Sequence, residues 1–267
     1  MKTTIITRVT KVTFLFLSLL LVAGCTDQSS DPTAADQNEP ALASAPGEAD
    51  TEEHSDGDLS ENMTYLLNLS LMRGHLYVGE ALYKDGHVEH AKTHMKHPES
   101  ELYALVVPVL DANDSQGFAT ELETLAVAVE TEQDQDTVST AYTALTTGIG
   151  EAESLVPEHD AGLHRTLLLI EQILLVAGEE YGIAFVDGQL ENAHEYQDSL
   201  GFVHVAKTML ENSATSSAEQ LETKTKALAV LAELQPMWPS LIPPETITTQ
   251  ATQLYAAADN IHALVHH

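Results

Sequence analysis

The spacing of apolar residues from Leu59 onward limits the fold of this chain more than any other feature. Over this stretch, which is rich in Ala, Leu, Glu and Thr, apolar residues recur at intervals of three and four, and the alternation typical of strands is rare. Such intervals place apolar side chains on one face of an α-helix, where they can pack against other helices. The sequence therefore predicts an all-α body.

Turn-forming residues divide this body into eight predicted helices. Glycine, proline, asparagine and aspartate interrupt the helical pattern between these segments, and such residues favour helix ends and turns. Pro98 and Pro108 fall inside the second predicted helix, so we expect a kink or a split there. The predicted helices span residues 60–84, 87–111, 115–132, 135–155, 160–186, 188–211, 215–234 and 245–265.

Two segments of the body resemble each other at a distance of 102 residues. Residues 85–91 read DGHVEHA, and residues 187–193 read DGQLENA. The similarity predicts an internal duplication, with two similar four-helix units at 59–156 and 157–267. Units of this length can each bury a helical-bundle core. Chance similarity between two acidic helical segments is the alternative.

The first 24 residues have the pattern of an export signal. Three basic residues precede an uncharged apolar run at 12–22, which is too short to span a membrane stably. Residues 21–25 read LVAGC, and this motif resembles the lipobox of bacterial lipoproteins, in which the cysteine receives diacylglycerol. The resemblance implies that 1–24 is a lipoprotein signal peptide and that lipidated Cys25 anchors the mature protein to a membrane.

The residues after Cys25 predict a tether and a location. Residues 25–58 are rich in Asp, Glu, Ser, Ala, Pro and Gln and hold almost no large apolar residues, so we predict a disordered acidic tether. Thr26 lies where aspartate commonly retains lipoproteins in the inner membrane of enteric bacteria. By resemblance to that sorting rule, we favour the periplasmic face of the outer membrane over the inner membrane, although Asp27 is only one position later.

Charge and cysteine content narrow the range of partners. The chain carries 41 acidic and 11 basic residues, for a formal net charge of −30. A field of this sign repels phosphate backbones, so we expect no nucleic-acid partner, and membrane attachment must come from the lipid. Because Cys25 is the only cysteine, intramolecular disulfides and cysteine metal clusters are excluded.

A stripe of histidines is the strongest functional signal in the body. Five histidines fall within 23 positions, and the last four, spaced three, four and three apart, share a helical arc of about 80°. Neutral imidazoles at this spacing are ligands for zinc, copper and nickel. The sequence therefore predicts binding of a transition metal, or of a cofactor that contains one. The candidate ligands are His75, His87, His90, His94 and His97.

Other interpretations of this stripe stay open. The first helical hairpin also contains four of the basic residues, so it could dock a protein partner or bind an anion, or the histidines could be purely structural. An enzyme would need a base such as Glu80 or Glu99 beside the metal. The sequence contains no phosphate-binding loop, no Gly-x-Ser-x-Gly motif and no His-Glu-x-x-His motif, so we favour a non-enzymatic function.

The second predicted unit lacks the histidine stripe. The aligned positions hold Ala177, Gln189, Asn192, Tyr196 and Ser199, so the histidines are not a requirement of the shared fold. Residues 191–194 have the Glu-x-x-His spacing of di-iron bundles, but this pattern occurs once, and we interpret His194 as a surface residue. Imelysin-like periplasmic lipoproteins resemble the chain in general plan, yet their His-x-x-Glu motif is missing, so no site residues are transferred from them.

Overall fold

Helices account for most of the chain in the computed structural model, which describes residues 59–157 and 162–266. This confirms the predicted all-α class. The signal peptide, Cys25 and the tether lie outside the described residues. Within the described part, no helix has both the length and the apolar character needed to cross a membrane. The helices are α1 (Glu61–Lys84), α2 (Val88–His97), α3 (Tyr103–Ala112), α4 (Ala119–Glu130), α5 (Gln135–Glu153), α6 (Leu163–Ala184), α7 (Ala193–Asn212), α8 (Ala218–Glu233) and α9 (Thr252–Val265).

Side-chain caps explain where several helices begin. The Ser60 hydroxyl accepts a hydrogen bond from the Met63 backbone N–H at the start of α1, and the Asp134 carboxylate accepts one from the Thr137 N–H at the start of α5. Each bond satisfies a backbone donor that has no partner within the helix. Helices α1 and α5 therefore begin within one residue of the predicted starts at residues 60 and 135.

The helices form two sets with the same neighbour relations. In the first set, α1 packs against α2 and α5, α2 packs against α4, and α4 packs against α5. In the second set, α6 packs against α7 and α9, α7 packs against α8, and α8 packs against α9. This correspondence supports the predicted duplication. The predicted boundary between residues 156 and 157 falls in the connection from α5 to α6, and the extent of each unit stays a prediction.

The two sets meet mainly where α1 packs against α7. Glycines allow this close approach, because a Cβ atom on Gly201 would lie 2.8 Å from Val78 Cγ2 and closer still to the carbonyl oxygen of Gly74. The ring of Phe202 occupies the space that a side chain on Gly74 would need. The backbones of α1 and α7 therefore lie almost in contact at this level of the fold.

The predicted kink in the second helix occurs at the first of its two prolines. A π-helical turn at Pro98–Leu102 joins α2 to α3, and the backbone N–H of Tyr103 donates to the carbonyl oxygen of Pro98. Proline has no N–H to donate to the preceding turn, so the regular helical ladder is interrupted there. Pro108 lies inside α3 and does not end it.

A short hairpin replaces the helix ends predicted around residue 187. Strands β1 (Phe185–Val186) and β2 (Gln189–Leu190) pair in antiparallel fashion. Asp187 and Gly188 between them have φ angles of 51° and 78°. Positive φ at both central residues is typical of a type I′ turn, which favours Asp-Gly. The two predicted helices at this point were therefore extended too far, and α7 begins only at Ala193.

The last helix also begins later than predicted, at Thr252 rather than residue 245. The segment before it pairs with the hairpin: the N–H of Leu190 donates to the carbonyl oxygen of Glu245 at 2.9 Å, and the N–H of Ile247 donates to that of Gly188 at 3.0 Å. These bonds hold residues 245–247 in an extended conformation. A helix at 245–251 would lose them.

Candidate metal centre

One histidine of α1, two histidines of α2 and one aspartate of α7 come together where the two sets of helices meet. One ligand atom from each of the four side chains lies within 4.8 Å of all the others. Three of the residues are buried, and the fourth, His97, is half-buried. We call this group the inner cluster. Its members are His75, His94, His97 and Asp198.

Asp198 connects the histidines of the inner cluster. Its Oδ1 atom lies 2.5 Å from Nδ1 of His75 and 2.9 Å from Nδ1 of His94, both hydrogen-bond distances. Its Oδ2 atom lies 3.8 Å from Nδ1 of His97. That nitrogen of His97 is buried and has no hydrogen-bond partner among the residues that the structure describes. An unsatisfied buried polar atom is uncommon in folded proteins, and a water molecule or an ion can serve as its partner.

The hydrogen bonds of Gln197 determine which nitrogen of His94 is protonated and which is left to bind an ion. The side-chain Nε2 of Gln197 donates to the carbonyl oxygen of Leu241 at 3.2 Å, so Oε1 of this amide must accept. That oxygen lies 2.9 Å from Nε2 of His94, which therefore carries a proton and donates it. Metal-binding histidines commonly donate their second nitrogen in this way. The remaining nitrogen, Nδ1, can then bind an ion beside Asp198.

Burial and mutual attraction shift the pKa values of the cluster. Burial favours the neutral form of His75, but the Asp198 carboxylate outweighs this and raises the pKa of His75 above its ordinary value. Burial acts against ionisation of Asp198, but His75 and His94 hold its pKa well below the usual range. Burial and the neighbouring His75 lower the pKa of His97. The cluster thus holds the ionised carboxylate of Asp198. Beside it, His75 retains its proton more readily than an ordinary histidine, and His97 loses its proton more readily.

The spacing of the donor atoms is compatible with one bound ion. Two ligands of a tetrahedral ion, each about 2.1 Å from the metal, lie about 3.4 Å apart. The nitrogen–oxygen distances around Asp198 run from 2.5 to 3.8 Å, on either side of that value. An ion that replaces the proton of His75 would require only small movements of these side chains. Three imidazoles and one carboxylate suit zinc, copper, nickel and iron.

Two of the five predicted histidines lie outside the inner cluster. The side chain of His87 is 41% exposed, and its Nε2 atom lies 3.3 Å from Asp85. His90 is half-buried, and its buried Nδ1 atom has no hydrogen-bond partner among the described residues. Helices α1 and α2 approach each other closely at Gly79, because a Cβ there would lie about 3.0 Å from Met95.

The interpretation of His194 as a surface residue is wrong. It is half-buried, and its ring centroid lies 5.3 Å from that of His90 and 5.6 Å from that of His94. Burial and these two imidazoles lower the pKa of His194. The Glu-x-x-His pattern does not explain this position, since Glu191 is exposed. His194 reaches the other histidines because α7 packs against α2.

Sequence reasoning also missed Asp198. On α7 this residue lies four positions before Phe202 and seven before Val205, and both of those residues are buried. A carboxylate in line with an apolar helical stripe is unusual unless it is paired. This was the available signal, but its partners lie on α1 and α2, more than a hundred residues away in the sequence.

The second set of helices lacks the histidines and satisfies the equivalent positions differently. Ser199, which aligns with His97, donates its hydroxyl to the carbonyl oxygen of Ala177, which aligns with His75, at 2.8 Å. A hydroxyl and a backbone carbonyl are thus sufficient for this helix contact. The imidazoles of the first set are therefore not needed for packing.

A half-buried carboxyl group lies near the inner cluster. Burial, followed by the neighbouring Glu195 and Asp198, raises the pKa of Glu180 on α6 to about 9. Glu180 is therefore protonated at neutral pH and adds no charge there. The two carboxylates considered as catalytic bases are placed differently: Glu80 forms an ion pair with Lys84 at 2.7 Å, and Glu99 is exposed.

The basic residues of the first hairpin are paired within the chain. Lys92 contacts Glu132 at 2.9 Å, and Lys96 contacts Glu130 at 2.8 Å. These pairs attach α2 to α4 and reduce the positive field that would attract an anion or an acidic partner. The docking face on this hairpin stays a prediction.

Comparison with known proteins gives one family match. Residues 157–267 match the family described as the iron permease-associated four-helix bundle domain. The match covers α6 to α9, the second of the two sets of helices, and includes Asp198. No curated protein and no solved structure matches the chain.

Proposed function

We propose that this protein binds a divalent transition-metal ion at the inner cluster and serves a membrane system that handles iron. The observation that carries the proposal is the meeting of three imidazoles around one buried carboxylate, with all four donor atoms within 4.8 Å. The similarity of residues 157–267 to an iron permease-associated domain supports a role in metal handling. The ion is cargo in this proposal, so the site does not need a catalytic base.

A purely structural cluster explains these residues less well. Burying a carboxylate and two histidines costs desolvation free energy that their mutual attraction need not recover. The aligned positions of the second set pack with Ser199 and Ala177 instead. In addition, the buried Nδ1 atom of His97 has no partner within residues 59–157 and 162–266, whereas a structural network normally satisfies every buried donor and acceptor. A bound ion would use this nitrogen.

Ferrous iron is the first candidate for the ion. Imidazole and carboxylate donors together suit non-haem Fe(II), although the same donors also bind zinc, copper and nickel. Copper(II) is expected to bind most tightly in a direct comparison, because affinity for such sites follows the general order of divalent metals. Selection of iron would therefore depend on which metal is supplied to the protein.

The proposal is tested by titration of the full-length protein, purified without a histidine tag. We expect tight binding of at least one ion when Fe²⁺ is added without oxygen at about pH 7.5, and comparable stoichiometry with Zn²⁺. Titration calorimetry measures both values. Failure of Fe²⁺, Zn²⁺, Cu²⁺ and Ni²⁺ alike to bind would contradict the proposal.

Metal affinity should depend strongly on pH. Since Asp198 raises the pKa of His75 above 6.5, protons should begin to compete with the ion at a pH above that value. The lowered pKa of His97 means that this histidine competes only at lower pH. We therefore expect Zn²⁺ affinity to fall continuously from about pH 8 to about pH 5.5. An affinity that is constant over this range would argue against imidazole ligands.

We also propose that lipidated Cys25 attaches the protein to the periplasmic face of the outer membrane, with residues 25–58 as a tether. The LVAGC motif supports lipidation, and the absence of aspartate at position 26 supports this location. Cys25→Ser should release the protein into the soluble fraction, whereas the unmodified protein should fractionate with outer-membrane markers. Co-fractionation with inner-membrane markers would contradict the location but not the anchor.

A further inference from the structure

Six histidines form a continuous series from the surface to the inner cluster. The ring centroids of His87 and His90 are 6.4 Å apart, those of His90 and His194 are 5.3 Å apart, and those of His194 and His94 are 5.6 Å apart. From His94 the series continues to the two remaining histidines of the inner cluster, with a spacing of 6.0 Å to His97. The largest centroid spacing between neighbouring rings of the series is 6.4 Å.

Exposure decreases along this series from His87 as far as His94. The side chain of His87 is 41% exposed and that of His94 is fully buried, while His90 and His194 are half-buried. An ion that arrives from solvent can therefore lose its water ligands gradually. Gradual replacement of water by imidazole avoids the large cost of moving a bare divalent ion into a buried site.

We propose that His90 and His194, the outer pair, form a second metal-binding position through which the ion is delivered to the inner cluster. Two imidazoles that share a tetrahedral ion have ring centroids about 5 Å apart, and those of the outer pair are 5.3 Å apart. In the part of the chain that the structure describes, the buried Nδ1 atom of His90 has no hydrogen-bond partner. This nitrogen is available to an ion, and water would complete its coordination.

His94 is the ring that connects the two positions. Its centroid lies 5.6 Å from that of His194 in the outer pair and 6.0 Å from that of His97 in the inner cluster. During transfer the imidazoles of the outer pair are replaced by the ligands of the inner cluster, beginning with His94, and the ion keeps its oxidation state. The outer position supplies two protein ligands and the inner cluster supplies four. The outer position therefore binds the ion more weakly, and the ion moves inward.

The outer pair also joins the two sets of helices. His90 belongs to α2, and His194 lies in the first turn of α7, where the Asn192 side chain accepts a hydrogen bond from its backbone N–H at 3.0 Å. This cap fixes the start of α7 and hence the position of His194. The outer position therefore exists only when both sets are in place, as the inner cluster does.

The experiment compares loading of the full-length protein with Co²⁺, which reports imidazole coordination by its visible absorbance. The unmodified protein should bind one ion tightly and a second weakly. In His90→Ala/His194→Ala, the weak ion should be lost, the tight ion should keep its affinity, and the loading rate should fall by about tenfold or more. The matched control is His164→Ala/His266→Ala, which removes two exposed histidines and should change neither property.

The outcomes separate this inference from the proposed function on which it rests. Absence of any Co²⁺ binding by the unmodified protein would contradict both. One tight ion without a weak one, or unchanged loading in His90→Ala/His194→Ala, would overturn the outer position and leave the inner cluster intact. Loss of the tight ion in that variant, with circular dichroism unchanged, would also overturn the inference, because the outer pair would then belong to a single shared site.

Discussion

Replacing Asp198 with asparagine is expected to abolish tight metal binding and to lower the free energy of unfolding of the metal-free protein by about 3 kcal/mol. The carboxylate accepts a hydrogen bond from Nδ1 of His75 and lies 2.9 Å from Nδ1 of His94, in a buried position. Asparagine preserves the shape but removes the negative charge that both the ion and the protonated His75 need. Titration calorimetry measures the first effect, and urea unfolding measures the second.

The destabilisation by Asp198→Asn should increase as the pH falls. In the unmodified protein the pKa of His75 is raised, so its stabilising contribution is present below the unfolded value of about 6.5 and is lost as the pH rises through the folded value. Without the carboxylate, burial lowers the pKa of this histidine, and protonation then favours unfolding. The difference between variant and unmodified protein should therefore be larger at about pH 5.5 than at about pH 8.

A matched control for this variant is Asp259→Asn on α9. Asp259 is exposed, so its replacement should change stability by less than about 0.5 kcal/mol and should leave metal binding unchanged. If Asp198→Asn bound metal as tightly as the unmodified protein, the aspartate would not be a ligand. The inner cluster would then have to be abandoned as the binding site.

Replacing Gly201 with alanine should have a comparably large effect. The added Cβ would lie 2.8 Å from Val78 Cγ2 and closer to the Gly74 carbonyl oxygen, so α7 must move away from α1. Overpacking of this kind costs about 3 kcal/mol when backbone atoms must shift. Since His75 follows Gly74 and Asp198 precedes Gly201 by one helical turn, the same movement should also weaken metal binding. Urea unfolding and titration calorimetry measure the two effects.

Gly182→Ala is the control for that substitution. Gly182 also lies within a helix, α6, but a Cβ there would meet only the Cβ of Ala251, at 3.7 Å. Alanine is favoured over glycine inside a helix by up to about 1 kcal/mol, so this variant should be as stable as the unmodified protein or slightly more stable. Equal stability of Gly201→Ala and Gly182→Ala would show that the close approach of α1 and α7 is unimportant.

The helices could be predicted because their signals are local. Helix α1 was predicted at 60–84 and extends over Glu61–Lys84, since its apolar period and its Ser60 cap are both contained in the segment. The hairpin after α6 shows the limit of such signals. The dipeptide Asp-Gly occurs at residues 85–86 and again at residues 187–188. The first occurrence joins two helices, whereas the second joins two strands. The difference arises from pairing with residues 245–247, which are distant in sequence.

The candidate site was predictable only in part for the same reason. The histidine stripe identified His94 and His97, because helical spacing brings residues of one segment together, and His75 was included because it lies close by on the preceding helix. Asp198 is 104 residues from His94 in the sequence, and no local pattern connects them. His87 and His90 belong to the same stripe, but His87 lies beside Asp85 and His90 lies beside His194. Spacing alone could therefore not separate the outer position from the inner cluster.

The most direct test of the central claim is a crystal structure of the protein loaded with Co²⁺, with the ion located by its anomalous scattering. We predict an anomalous peak within about 2.3 Å of ligand atoms from all four residues of the inner cluster. A second, weaker peak between His90 and His194 would agree with the outer position. A structure with cobalt bound elsewhere, and with the contacts of Asp198 with His75 and His94 unchanged, would contradict the claim that this cluster is the metal site.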